Sequence, residues 1–310
     1  MEVETLLKLR FAAGCLVTVL VCAGTPALAD EHDGFFGFAQ ANSTKPMNLD
    51  HRYGAIEDNN NVGEILVLEP DSEVDFRIGV GWSRGEKGRF SISVWDFSLS
   101  EGASDSLSAN ETFDDDMVGN FVGGPIDFET ASEVDASSID FEYARDHEIS
   151  DGFDLTLILG LRSVEYEETY GLEYPAASGQ SNGTASMDVD GMGAKVGLGT
   201  RFHMGGRFSV GGGVAVSYMS GESEEMVVET GEETRSIDTD ASGMLVDVNV
   251  GVTLDLGKWV DVSLLLSQSS WSDLVTSRVR MGDDPDDNAL LTGRDNVSFD
   301  SIGIMVKVGG

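Results

Sequence analysis

Residues 205–221 read GGRFSVGGGVAVSYMSG, in which large apolar residues alternate with small or polar ones. The apolar series is Phe208, Val210, Val214, Val216 and Tyr218, and the opposite series is Arg207, Ser209, Ala215 and Ser217. A strict period of two is typical of a β-strand with two unlike faces. In a soluble sandwich the apolar face would meet a second sheet, whereas in an outer-membrane barrel it would meet lipid.

The same alternation recurs along the chain and predicts nine strands. They cover about residues 74–83, 89–98, 138–147, 153–167, 187–202, 207–221, 242–256, 259–272 and 295–308. In the most regular of them every even-numbered residue from Met244 to Leu256 is apolar, while Asp247, Asn249 and Asp255 lie on the other face. Two-faced strands of this number indicate an all-β protein.

The connections between these strands alternate in length and decide between the two environments. Short turns at 84–88, 148–152, 203–206 and 257–258 alternate with long loops at 99–137, 168–186, 222–241 and 273–294. Outer-membrane barrels place tight turns on the periplasmic side and long loops outside, whereas a Greek-key sandwich has no reason to keep this parity. We therefore predict a transmembrane antiparallel up-and-down β-barrel.

An even strand count requires one more strand before residue 74. Two segments, 35–41 and 62–69, are candidates for it. We predict about ten strands, with eight as the alternative count.

Aromatic residues gather beside the short turns, as a periplasmic interface girdle would. The predicted girdle consists of Trp82, Phe90, Phe153, Phe202, Phe208 and Trp259, while Tyr218, Trp271 and Phe299 lie near the opposite strand ends. The alternative is that these rings fill the core of a sandwich. Core aromatics, however, need not gather at one end of every hairpin.

The first 29 residues have the composition of a secretory signal peptide. Lys8 and Arg10 precede an apolar run that is too short for a transmembrane helix, and Ala27-Leu28-Ala29 provides a small-x-small cleavage site. A lipoprotein signal at Cys15 is the less favoured alternative. We expect residues 1–29 to be removed, residues 30–72 to form an N-terminal segment containing the first strand, and residues 73–310 to form the barrel.

Both cysteines, Cys15 and Cys22, lie inside the predicted signal peptide, so the mature chain must be held together by something other than disulfides, such as closure of a barrel. The formal net charge is −36, and the signal peptide contributes nothing to it. Such a charge excludes nucleic-acid binding as a main activity.

Four segments carry a family resemblance. They are EPDSEVDFRIGVGWSRGEKGRFSISVWDFS, SSIDFEYARDHEISDGFDLTLILGLRSVEYE, DGMGAKVGLGTRFHMGGRFSVGGGVAVSYMSG and FDSIGIMVKV. Together they resemble the Legionella-type pore-forming major outer-membrane proteins, in strand pattern and order rather than in an invariant motif. The resemblance implies one outer-membrane barrel that forms a pore. The last strand is similar to the signal that barrel-assembly machinery recognises, although the chain ends in Gly309-Gly310 instead of Phe.

Charged residues of both signs occupy inward positions of the predicted strands. Those predicted to line the lumen are Arg77, Asp140, Glu142, Arg162, Lys195, Arg201, Asp247, Asp255, Asp261 and Lys307, together with Asp75 and Asp154. In a narrow lumen such charges either pair into a plug or line a thin aqueous path. The second arrangement would be a pore whose acidic excess favours cations.

The predicted outer loops are strongly acidic. Residues 99–136 contain ten Asp or Glu and no Lys or Arg, and residues 222–240 contain eight acids against Arg235. Solvated loops are the ordinary explanation. The functional alternatives are enrichment of cations at the mouth and weak binding of divalent cations through oxygen clusters. The sequence GDDPDDN at 282–288 lacks the spacing of an EF-hand loop and fits a proline-centred turn.

The hypothesis of an enzymatic function finds little support in the sequence. The mature chain has four histidines: His32 and His51 precede the first of the nine predicted strands, and His147 and His203 lie at the predicted periplasmic strand ends. We predict no enzyme, no cofactor and no metal centre. The expected function is passive passage of small hydrophilic solutes or ions through an outer-membrane barrel, with a cation preference. A non-conducting barrel that displays acidic loops for adhesion or envelope structure is the alternative.

Overall fold

The computed structural model describes residues 33–47, 51–58, 63–68, 70–85, 88–108, 111–115, 121–123, 125–176, 179–229, 234–257, 259–281 and 290–309. The predicted signal peptide lies outside this part of the chain. Within it, no helix is long and apolar enough to cross a membrane. The strands are β1 (Asp33–Met47), β2 (His51–Asp58), β3 (Gly63–Leu68), β4 (Glu73–Arg84), β5 (Arg89–Leu107), β6 (Glu111–Asp115), β7 (Phe121–Gly123), β8 (Ile126–Ser150), β9 (Phe153–Ala176), β10 (Gly179–His203), β11 (Phe208–Glu229), β12 (Arg235–Gly257), β13 (Val260–Met281) and β14 (Leu290–Gly309).

Ten of these strands form a closed antiparallel barrel, and the predicted fold class is confirmed. The strands follow the chain in the order β1, β4, β5 and then β8 to β14, and each pairs with its neighbour. The barrel closes because β1 pairs with both β14 and β4: Phe36 lies opposite Gly309 on one side and Gly81 on the other. Closure pairs every barrel edge, which a sheet in lipid requires.

The first barrel strand contains one of the two predicted candidates, residues 35–41. The other candidate, 62–69, overlaps β3, which belongs to a separate four-stranded sheet in the order β3-β2-β6-β7. This small sheet is formed by the chain between β1 and β4 and between β5 and β8. Those connections lie at the barrel end opposite the short turns, which we call the loop end; the other is the turn end.

The strands extend farther toward the loop end than predicted, so the assignment of 99–137, 168–186, 222–241 and 273–294 to long loops was wrong over much of their length. Strands β9 and β10, for example, are paired up to Ala176 and Gly179. The extension has a buried cluster of its own inside the barrel, formed by Leu107, Phe128, Leu172 and Tyr174. Apolar burial and complete backbone pairing therefore continue beyond the lipid-facing part.

The outward face of the barrel carries the apolar residues of the sequence alternation. Large side chains that face outward include Ile78, Val94, Phe141, Leu159, Val196, Val214, Val250, Leu264 and Ile304. The residues predicted as a girdle lie at the turn end, where Trp82, Phe90, Phe202, Phe208 and Trp259 are exposed on the outer surface and Phe153 packs against Phe202 at 4.5 Å between ring centroids. A continuous apolar belt around the outside of a closed barrel is typical of a surface that faces lipid.

Two aromatic side chains of β1 occupy notches that glycines leave on β4. Gly79 lies opposite Phe38, and Gly81 lies opposite Phe36. A Cβ atom on Gly79 would lie 2.5 Å from the Phe38 ring, and one on Gly81 would lie 2.4 Å from the Phe36 ring. The glycines thus let two rings fold flat onto the sheet inside a narrow barrel.

Placing a charge in the lipid belt is expected to destabilise the barrel. Val250 faces outward in the middle of the β12 apolar series, and Ser242 faces outward on the same strand beyond it. Val250→Lys should lower the free energy of unfolding in lipid vesicles by about 2–4 kcal/mol, whereas Ser242→Lys should cost about 0–1 kcal/mol. Equal costs in urea titrations of the two variants would contradict a lipid-facing belt.

Candidate functional site

Inside the barrel, the carboxylate of Asp140 on β8 is surrounded by three cations. Arg162 donates from Nε to Oδ1 at 2.5 Å and from Nη2 to Oδ2 at 2.8 Å. Arg77 Nη2 and Lys195 Nζ lie 2.8 and 3.1 Å from Oδ2. Only 1% of the Asp140 side chain is exposed. A carboxylate this deeply buried is tolerable because its oxygens are fully engaged by donors.

Two further carboxylates complete this arrangement. Asp247 Oδ2 accepts from Arg162 Nη1 at 2.6 Å, and Lys195 Nζ lies 2.7 Å from Glu142 Oε1. Arg77, Asp140, Glu142, Arg162, Lys195 and Asp247 form what we call the charged layer. Three cations face three carboxylates across β4, β8, β9, β10 and β12, so the layer is electrically balanced.

A second polar network lies beside the charged layer and centres on Asp75, which is 1% exposed. Its carboxylate accepts from Asn42 Nδ2 at 2.6 Å, from Trp95 Nε1 at 2.9 Å and from the Thr44 hydroxyl. Gln40 in turn donates to Asn42 Oδ1 at 2.6 Å. These bonds tie β1, β4 and β5 together at the point where the barrel closes.

Toward the loop end from the charged layer, the lumen is filled by apolar and aromatic side chains. Trp95, Phe97, Tyr166, Trp271 and Phe299 form what we call the aromatic layer, with ring centroids 5.3–6.3 Å apart in successive contacts. Eleven more buried residues join it: Leu99, Val134, Ala136, Val164, Met187, Val189, Met219, Ala241, Leu245, Leu274 and Val297. This packed layer closes the lumen across its width.

Trp271 and Phe299, predicted only to lie near the strand ends opposite the girdle, belong to the interior of the barrel. Both side chains point into the barrel and are 1–2% exposed. The reason is that the inward face becomes apolar above the charged layer. Trp271 Nε1 donates to Ser269 Oγ at 2.9 Å, and Ser269 Oγ donates to Asp247 Oδ1 at 2.7 Å, so the two layers are linked.

The remaining predicted lumen charges lie nearer the turn end and do not join the charged layer. Lys307 lies opposite Asp261 on the neighbouring strand, with its Nζ 5.0 Å from the Phe36 ring centre. Arg201 and Asp255 are exposed. Asp154 Oδ2 lies 2.9 Å from His203 Nε2.

The outer surface just beyond the lipid belt carries two rows of acids, which we call the acidic rows. In the row nearer the belt, Glu165, Asp190, Glu222 and Asp240 lie side by side on β9 to β12. In the next, Asp135, Glu167, Asp188, Glu224 and Asp238 lie side by side on β8 to β12. All nine point away from the lumen.

Like charges directly opposite each other on adjacent strands repel. Eight of the nine acids are exposed and Asp135 is half-buried.

The acidic rows lie at the edge of the lipid belt. On the same strands, the positions below them are held by Ser163, Met192, Ser220 and Ser242, and the next by Leu161, Ala194, Tyr218 and Met244. The carboxylates therefore lie where a bilayer passes from hydrocarbon to headgroups.

The acidic rows and the aromatic layer were not predicted. The sequence predicted these acids only as residues of acidic loops. Their side-by-side placement could not be predicted, because it depends on the pairing register of neighbouring strands. A usable signal was the change of pattern along single strands: Phe97, Val164 and Tyr166 fall on the parity that is polar lower down. Beyond the lipid belt the apolar residues lie on the inward face of the strands instead of the outward face.

No catalytic constellation is evident among the described side chains. His147 and His203 lie at the turn end, as predicted, whereas His51 begins β2 in the small sheet. Among the described residues, no group of three or more His, Cys, Asp or Glu is arranged to hold a metal ion.

Comparisons with known proteins support the fold. Neither a protein-family model nor a curated protein matches the chain, so the family resemblance stays a prediction. The outer membrane protease OmpT from Escherichia coli is similar in structure, with a TM-score of 0.50 at 11% identity over 92% of this chain and 99% of that one. The Pseudomonas putida toluene transporter TodX aligns with a TM-score of 0.36 at 8% identity over 94% and 92%. Ail of Yersinia pestis aligns with a TM-score of 0.25 at 10% identity over 89% and 99%. The likeness to OmpT shows an outer-membrane barrel fold, and it carries no activity over.

Removing Asp140 is expected to destabilise the barrel strongly. Asp140→Ala would leave three cations, of which Arg162 and Lys195 are buried, with too few acceptors, so the free energy of unfolding should fall by about 3–5 kcal/mol. Glu133→Ala removes an exposed, outward acid from the same strand and should change it by less than about 0.5 kcal/mol. Urea titration of the refolded variants measures both. If the costs were alike, the charged layer would not hold the lumen together.

Proposed function

We propose that this chain is a structural protein of the bacterial outer membrane, with a lumen closed at rest. Its outer surface would bind divalent cations and, through them, the phosphate-bearing headgroups of lipids. The turn end would face the periplasm and the loop end the exterior, as in other barrels of this kind. The observation that carries the proposal is the pair of acidic rows at the edge of the lipid belt.

The position of the rows favours this ligand chemistry. Calcium and magnesium prefer carboxylate and phosphate oxygens. Nine adjacent carboxylates next to anionic headgroups would repel both one another and the membrane surface, and bridging cations would remove both repulsions. A weak affinity for each ion would suffice, because many neighbouring sites act together.

The closed lumen supports a role at the surface of the barrel rather than in transport. The charged layer is balanced, and the aromatic layer above it is packed. Any continuous path would have to separate rings such as Trp271 and Phe299, which are both almost fully buried.

Passive passage of small solutes or ions, with a cation preference, is the second candidate. It is favoured by three groups of the charged layer that remain partly exposed inside the barrel: Arg77 at 32%, Glu142 at 24% and Asp247 at 22%. A widened lumen would place these groups along the path.

Calcium titration tests the principal proposal. Heat from Ca²⁺ and Mg²⁺ binding to the refolded protein should fall at least fivefold when Glu165, Asp190, Glu222 and Asp240 are replaced by Gln or Asn. The control neutralises Asp105, Asp127, Glu129 and Glu133, which are exposed but lie outside the rows, and should keep the heat. Binding should also weaken as the pH is lowered, since protons compete for the carboxylates. Equal heats in the two variants, or none in the wild type, would refute a cation surface at the rows.

Conductance in a planar bilayer separates the two candidate functions. The wild-type protein should give no stable steps in potassium chloride, whereas Trp271→Ala combined with Phe299→Ala should give brief openings, because the cavity left by two rings weakens the packed layer. Stable cation-selective steps in the wild type would favour passage instead. Replacing Asp247 by Asn should then reduce the cation preference.

A further inference from the structure

The interior holds a cavity of about 300 Å³ between the aromatic layer and the turn end. Trp95, Trp271 and Phe299 line its side toward the loop end, and Phe38, Leu265 and Met305 line its opposite side. Its volume is at the lower end of the range for small-molecule sites, roughly 300–1,000 Å³.

From the chemistry of its walls we infer that this cavity binds a small, neutral, polyhydroxylated molecule of about monosaccharide size. The walls offer donors, from Arg77 and from the amides of Gln40 and Asn42, and acceptors, from Glu142 and Asp247. Five serine hydroxyls, those of Ser93, Ser138, Ser267, Ser269 and Ser301, can do either.

Because the charges of the cavity walls are balanced, the cavity disfavours charged ligands. The three cations and three carboxylates of the charged layer already pair with one another, so a charged ligand would lose its hydration without gaining a free counter-charge. A purely apolar ligand would leave the polar wall groups without hydrogen bonds. A molecule with several hydroxyl groups and an apolar face satisfies both the polar wall and the rings.

The site is held in place before any ligand binds. Gln40, Asn42 and Arg162 are 9%, 6% and 3% exposed, and hydrogen bonds to neighbouring side chains fix each of them. Ordering costs on binding are therefore small. Because the aromatic layer covers the loop side, the ligand would enter from the turn end, where the inward positions 197, 199, 211 and 213 are all glycine.

Saturation-transfer NMR on the refolded protein in detergent tests this inference, with D-glucose and mannitol as neutral probes. Glucosamine and glucose 6-phosphate serve as cationic and anionic analogues. The neutral probes should bind saturably with a Kd in the millimolar range, and the charged analogues at least tenfold more weakly. EDTA in the buffer makes the result independent of any cation bound at the acidic rows.

Two matched pairs of variants locate the binding. Ser138→Leu and Ser267→Leu each fill the cavity and should weaken binding at least tenfold. Ser137→Leu and Ser270→Leu change outward residues of the same two strands, outside the cavity lining, and should leave binding unchanged. Heat-modifiable migration identifies folded barrels, and the second filled variant serves if the first does not fold. Absence of saturable binding, equal binding in filled and control variants, or stronger binding of a charged analogue would each overturn the inference.

Discussion

The carboxylate of Asp140 is the contact on which the interior of this barrel depends. It accepts from side chains of β4, β9 and β10 while belonging to β8 itself. Burying one acid among three bases is favourable only because Glu142 and Asp247 complete the balance. A ten-stranded barrel is too narrow to hold a folded plug, so its own side chains must fill the lumen. Paired charges occupy part of it, and the cavity beside them is lined by several of the same groups.

The environment outside these strands changes along their length from lipid to water, and the pattern of apolar and polar side chains changes with it. In the lipid belt the outward residues are apolar and most of the inward ones are polar or glycine. Beyond the belt the inward residues become apolar, as with Tyr166 and Met187, while Glu165, Glu167 and Asp188 turn outward. The hydrophobic effect explains both halves, because apolar surface faces whichever side lacks water. Within the lipid belt the side without water is the exterior of the barrel. Beyond the belt it is the barrel core.

This reversal of the apolar face also determines which parts of the fold could be predicted from the sequence. The strands of the lipid belt and their parity follow from residues such as Val246 to Leu256, where one face is uniformly apolar. The ten-strand count follows from the alternation of short and long connections, which requires one more strand before residue 74. The inward position of Arg162 and Asp140 follows from the same parity. The parity does not predict that Arg162 contacts both Asp140 and Asp247. Those contacts depend on the stagger of the strands around the barrel and on how far the arginine side chain reaches across the lumen. The extensions above the belt were missed because their outward acids read as solvated loops.

Charge is distributed differently on the two sides of the barrel wall, and the difference has a physical cause. Inside, where few waters can screen an ion, each base of the charged layer has an acid partner; outside, the acidic rows stand next to one another without an interleaved base. Water and salt reduce the repulsion between exposed carboxylates, so the rows can be tolerated there. At the membrane edge, however, headgroup phosphates add to the same negative field. Cations that bind between the rows and the lipid would bind the folded, inserted barrel better than the unfolded chain. Barrel stability should then rise with divalent cation concentration by mass action.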